Sequence, residues 1–154
     1  MSAAASQCLV ACGSQLRGDD GAAWELARRA AEAGWVTFTS IQLLPELCEE
    51  LQFFDVVVFA DASQGQHGLQ LSEIGPESAD TWPLHCGRPE QLLSLCARLY
   101  GRAPRALMLN LPGENFDLGF GLSARARASV EEGWSRLADL GHMLTPEPGA
   151  KVKP

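Results

Sequence analysis

The chain has 154 residues, enough for one domain that hides roughly 70% of the surface its unfolded form exposes, and its 46% apolar and 20% charged composition excludes disordered and collagen-like classes. A net charge of -7, from 19 acidic and 12 basic residues, opposes binding to nucleic-acid backbones and anionic membranes. The 5 cysteines, an odd number without a Cys-x-x-Cys pair, speak against a disulfide scaffold or zinc knuckle and for small buried thiols in a reducing compartment.

The opening MSAAASQCLVAC has neither the basic start nor the continuous apolar stretch of a secretory signal, and no apolar run approaches the roughly 20 residues of a membrane helix. A cytoplasmic monomer is the expectation. Residues 7–12, QCLVAC, read as a short buried strand closed by Gly13. Past the loop GSQLRGDDG, Ala23, Ala27, Ala30 and Ala31 recur with Trp24 and Leu26 at helical spacing until Gly34 ends the pattern. WVTFTSI alternates as a strand does, and Pro45 opens a short helix in PELCEELQFF with Leu44, Leu47 and Leu51 on one side. DVVVFADA, β-branched and apolar through its middle, predicts a central strand covered on both faces.

The alternation of LQLSEI predicts a strand near a sheet edge. RPEQLLSLCARLYG predicts a helix with Pro89 at its start, Gly101 at its end and an apolar stripe of Leu92, Leu95, Cys96 and Leu99. RALMLNL adds a strand, PGENFDLGFG a glycine-rich loop, and residues 123–140 a final helix burying Val130, Trp134, Leu137 and Ala138. Residues 145–154, TPEPGAKVKP, read as a flexible tail behind a single domain over 1–144, since no repeat or linker divides the rest. Strands alternating with helices predict an α/β fold: a mostly parallel open sheet of about five strands, layered α/β/α. In such sheets ligands bind beyond the carboxyl ends of the strands, where the winding direction reverses.

That rule selects a few residues. Asp19 and Asp20 follow the first strand and Asp61 ends the strongest one, so a parallel arrangement brings acidic groups to one edge of the sheet. Asp19 suits a helix cap accepting first-turn N–H groups, which leaves Asp20 to face the crevice, favoured as an anion by the helix dipole. Plain solvation with capping is the competing reading of this pair. A carboxylate after VVVF is costly without a partner, a cation or a raised pKa, although capping of the next loop would also account for Asp61. His85, in TWPLHCGRPEQ, either reaches the same edge or is simply an exposed loop histidine. Together Asp20, Asp61 and His85 offer two carboxylates and an imidazole, a ligand set acceptable to zinc, nickel, manganese or iron. His67 and His142 have no comparable framework and read as surface residues.

Other chemistries lack their signatures. There is no Gly-x-Ser-x-Gly elbow, no His-Glu-x-x-His helix and no phosphate loop of the Gly-x-x-x-x-Gly-Lys type. His85 beside Cys86 does not make a thiol protease, because sequence neighbours rarely have nucleophile–base geometry. ACGSQLRGDDG is not a dinucleotide loop, and its acidic residues would repel a pyrophosphate.

Taken in order, ACGSQLRGDDGAA, LLPELCEEL, VVVFADAS, LHCGRPEQLLSLCARLYG and ENFDLGFGLS resemble the endopeptidases that mature nickel-iron hydrogenases, over residues 7 to about 140. The resemblance implies a phosphorylase/hydrolase-like α/β/α fold and a protease that removes a C-terminal extension from the hydrogenase large-subunit precursor once nickel is installed. It also implies that Asp20, Asp61 and His85 are the metal-binding positions, sharing recognition and catalysis, with nickel presented by the precursor's own cysteines and no organic cofactor. Ala11 and Ser14 depart from the family's Gly-x-Gly-Asn, which bears on the loop that meets substrate, and no role is carried over to Gln42. The alternatives are a non-catalytic assembly factor that binds the large subunit without cutting it, and a small nucleotide-binding module.

Overall fold

The computed structural model describes residues 6–65, 67–77 and 87–144. In chain order they form β1 (Gln7–Cys12), a 3-10 turn (Gly18–Gly21), α1 (Ala22–Glu32), β2 (Val36–Ser40), α2 (Leu47–Leu51), β3 (Val56–Gln64), β4 (Gln70–Ile74), α3 (Pro89–Tyr100), β5 (Arg105–Gly113) and α4 (Ala124–Leu144). The five strands make one sheet in the order β2-β1-β3-β5-β4, parallel except for β4, which pairs antiparallel with β5 at the edge. The predicted three-layer α/β/α architecture is the observed one.

Alternation along the strands explains the layers, because successive side chains leave a strand on opposite faces. Leu9 and Ala11 of β1, Val56, Val58 and Ala60 of β3, and Leu107, Leu109 and Leu111 of β5 join the core formed with α1 and α4. The intervening Cys8, Val10, Val57, Phe59 and Ala106 join the core formed with α2 and α3. The central strands are therefore apolar on both faces, as VVVF predicts. Full burial of Phe59 contributes about 2–3 kcal/mol relative to exposure.

The helices differ from their sequence reading in which residues they bury. In α1, Ala22, Ala23, Leu26, Ala27 and Ala30 are buried while Ala31 is exposed. The segment around α2 turns Leu43, Cys48 and Leu51 inward and leaves Leu44 47% exposed, because its helix begins at Leu47 rather than at Pro45 and the preceding residues follow no helical stripe. In α3 the buried set is Leu92, Leu93, Leu95 and Cys96, and Leu99 is exposed in the last turn. In α4, which runs four residues past the predicted end, Val130 and Leu137 are buried while Trp134 and Ala138 are only half-buried. The Arg29–Glu131 ion pair joins α1 to α4. No helix among the described residues is long and apolar enough to cross a membrane. Residues 145–154 lie outside the described ones.

β1 leads by α1 to β2 on one side and pairs with β3 on the other, so the sheet reverses its winding between β1 and β3. The carboxyl ends of those two strands define the crevice.

Candidate active site

Asp61 continues the series Val57, Phe59, so its side chain leaves β3 on the α2/α3 face, one residue past the last β1–β3 pair, Ala11 and Ala60. Cys12 continues Cys8 and Val10 on the same face of β1. Both residues line one cavity of about 220 Å³ with Gly13, Asp20, Gln42, Phe59 and Met108. Asp20 and Asp61, 41 positions apart in sequence, are thus brought to one cleft beyond the carboxyl ends of β1 and β3.

Asp20 is held by its own loop. Its Oδ2 accepts the Ser14 N–H at 2.7 Å, which folds residues 14–20 back over the end of β1. Gly13 makes this closure possible: its φ is 134°, and a Cβ there would stand 2.1 Å from the Asp20 carbonyl oxygen. The Trp24 indole N–H, donating to the Gly13 carbonyl at 2.8 Å, ties the same turn to α1. The two departures from the family motif are accommodated. Ala11 is buried in the α1/α4 core, and Ser14 serves Asp20 through its backbone, its hydroxyl accepting the Leu16 N–H at 3.3 Å.

Asp19 does not cap its own helix. It sits within the 3-10 turn, and neither that turn nor α1 has a side-chain cap bond. Its buried carboxylate points instead into the loop after β5, where N–H groups converge: it accepts Glu114 N–H at 2.8 Å, Asn115 N–H at 2.9 Å, Ser123 N–H at 2.7 Å and the Ser123 hydroxyl at 2.6 Å. Burial pushes this carboxyl up, but the Ser123 hydroxyl and the three N–H donors outweigh it and hold the group below the usual carboxylate range. Ser123 in turn caps α4, its hydroxyl accepting the Ala126 N–H at 3.1 Å. Gly113 leaves room for this contact, since a Cβ on it would lie 2.8 Å from the Asp19 Cβ. The loops after β1 and β5 are further zipped by Gly18 N–H to Gly119 O at 2.9 Å and Gly119 N–H to Leu16 O at 2.8 Å.

The electrostatics of the cleft separate its groups. Burial, with a smaller contribution from the Asp20 charge, pushes the Asp61 carboxyl up to about 6 against the opposing hydrogen bond from the Ala62 backbone. Burial and then the charges of Asp61 and Asp20 push the Cys12 thiol up to about 12, so it is a protonated, non-nucleophilic wall. His85 lies outside the described residues, but Gly87, two positions on, lines the cleft. Among the described residues no three His, Cys, Asp or Glu side chains are grouped to hold a metal ion. The donors that the cleft does supply are two carboxylates sharing one space, a pair whose mutual repulsion a divalent cation would relieve.

Solved structures superpose on this fold. The NiFe hydrogenase maturation protease HybD from Thermococcus kodakarensis matches with a TM-score of 0.70 at 18% identity, covering 88% of this chain and 99% of that one. The chain has the fold of the NiFe hydrogenase maturation proteases. The hydrogenase maturating endopeptidase HybD from E. coli matches with a TM-score of 0.65 at 15% identity, over 90% of this chain and 93% of its own. HycI, a NiFe hydrogenase maturation protease from Thermococcus kodakarensis KOD1, matches at 0.62 and 20% identity, over 88% and 92%. No protein-family model and no curated protein sequence matches the chain. The maturation-protease fold thus comes with a cleft whose two aspartates were selected from sequence. Sequence reading missed the Asp19–Ser123 latch that fixes the cleft loop, for which the glycine-rich PGENFDLGFG was the available signal.

Proposed function

We propose that the protein is an endopeptidase that removes the C-terminal extension of a nickel-iron hydrogenase large-subunit precursor after nickel insertion. The observation that carries this reading is the pairing of Asp20 with Asp61, whose carboxyl pKa is raised to about 6, in one cleft of a maturation-protease fold. A carboxyl with a pKa of about 6 exchanges protons readily near neutral pH, which suits a general base toward water and a general acid toward the leaving amine. Asp20, fixed by Ser14 N–H, supplies a stationary negative charge beside it. His85 completes the set as the third ligand.

Nickel belongs to the substrate in this scheme: carried on the precursor's cysteines, it would polarise the scissile carbonyl and mark the precursor as complete. The role of this chain's residues is to receive that assembly, exclude other geometries and move protons at Asp61.

Mass spectrometry of a nickel-loaded precursor incubated with the protein tests the reading. Shortening of the precursor's C-terminus is expected with the wild type and not with Asp61→Ala or His85→Ala; a precursor left intact by the wild type refutes it.

A further inference from the structure

β2 is the last strand on its side of the sheet. Its inner edge pairs with β1, and among the described residues no strand pairs with its outer edge. Beside it an open groove of about 540 Å³ runs between β2 and α2. Half-buried Phe38 and Leu47 and exposed Leu44 give this groove its apolar lining. Glu46, Glu49 and Glu50, all exposed, give it its charge. None of these three has an ion-pair partner among the described residues.

The groove adjoins the cleft. Gln42 lines both spaces, and Ser40, at the carboxyl end of β2, accepts the N–H of the cleft residue Gly13 at 3.1 Å. A strand laid along the outer edge of β2 therefore runs toward Asp20 and Asp61.

One ligand chemistry answers all of these features: an extended polypeptide whose backbone takes the open hydrogen-bonding positions of β2, whose apolar side chains cover Phe38, Leu44 and Leu47, and whose cationic side chains meet the glutamates. Nucleic acid and anionic lipid carry the wrong charge. A second copy of this chain pairing two-fold through β2 would bring the same three glutamates against their own counterparts.

We propose that the β2 edge and its groove bind an extended, lysine- or arginine-bearing segment of the substrate polypeptide by strand addition and lead it to the cleft. Identifying the segment as part of a substrate rests on the protease reading, whereas the binding itself does not.

The probe is a fluorescein-labelled, end-blocked heptapeptide alternating lysine and valine, with a glutamate–valine peptide as control. Fluorescence anisotropy is expected to show binding of the lysine peptide alone, with the amide resonances of Val36–Ser40 shifted and their hydrogen exchange slowed. The triple variant Glu46→Gln, Glu49→Gln, Glu50→Gln should weaken binding about tenfold. Shifts mapping away from β2, equal affinity for the control peptide, no effect of the triple variant, or occlusion of β2 by a concentration-dependent dimer would each overturn the proposal. The two readings fail separately. A protein that binds the lysine peptide at β2 but never shortens the precursor sinks cleavage and leaves the groove; one whose triple variant cuts the precursor at the wild-type KM sinks the groove and leaves cleavage.

Discussion

Ser123 donates both its backbone N–H, at 2.7 Å, and its hydroxyl, at 2.6 Å, to the carboxylate of Asp19, across a sequence separation of 104 residues. The contact joins the loop that carries Asp20 to the first turn of α4, so a residue outside the cleft decides where the cleft loop stands. Asp19→Asn keeps the shape but turns one acceptor oxygen into a donor facing N–H groups. A loss of about 3 kcal/mol is expected by urea denaturation.

The same carboxylate sets an acid response. Its folded pKa lies below the ordinary value, so its stabilisation is complete above the unfolded pKa of about 3.9 and is lost as pH falls through the folded pKa. The stability difference between wild type and Asp19→Asn should therefore be constant at neutral pH and narrow below about pH 4. Denaturation midpoints measured from pH 7 to pH 2 check this.

Asp61 has the opposite sign. Its folded pKa of about 6 lies above the unfolded value, so the folded state binds the extra proton between the two, and stability falls as pH rises through that window. Asp61→Asn should stabilise the protein at pH 7 by about 1–3 kcal/mol while abolishing precursor cleavage. Cleavage by the wild type should rise with pH through about 6 if Asp61 acts as the base. A variant that is both more stable and inactive separates a chemical role from a structural one.

Cys12 lines the cleft yet is held protonated. Iodoacetamide at pH 8 should modify it far more slowly than an unperturbed thiol, and Cys12→Ala should cleave within about twofold of wild type. Rapid alkylation accompanied by loss of cleavage would reinstate a thiol mechanism.

Gly13→Ala places a methyl 2.1 Å from the Asp20 carbonyl oxygen at a φ of 134°. Displacement of the Asp20 loop and a destabilisation of more than about 2 kcal/mol are expected. Gly34→Ala, at a φ of 94° with nothing within 4 Å of the new methyl, should cost only about 1 kcal/mol of backbone strain. Comparing the two by thermal unfolding isolates the steric contact from the strain.

The parts of this protein that sequence reveals are those governed by local periodicity. The apolar middle of β3 announced a two-faced central strand, and the positions of Asp20 and Asp61 after parallel strands sufficed to bring them to one cleft. Leu44, grouped by spacing with Leu47 and Leu51, and Leu99, grouped with Leu92, Leu95 and Cys96, are exposed, because a helix of five residues and the last turn of a longer one are oriented by tertiary contacts rather than by their own pattern. Asp19 was misread because capping is the local use of an aspartate at a helix mouth, while its actual partners are fixed by a loop that sequence separates from it by almost the whole sheet. His85 lies outside the described residues.

The Asp19 latch also orders events at the ribosome. The segment holding Asp20 is synthesised before β2, whereas its anchors, Glu114, Asn115 and Ser123, emerge only after β5 has been made. A nascent chain stopped short of Ser123 has the aspartates of the cleft but not the clasp that sets them, so the cleft loop takes its place only after the first turn of α4 has been made.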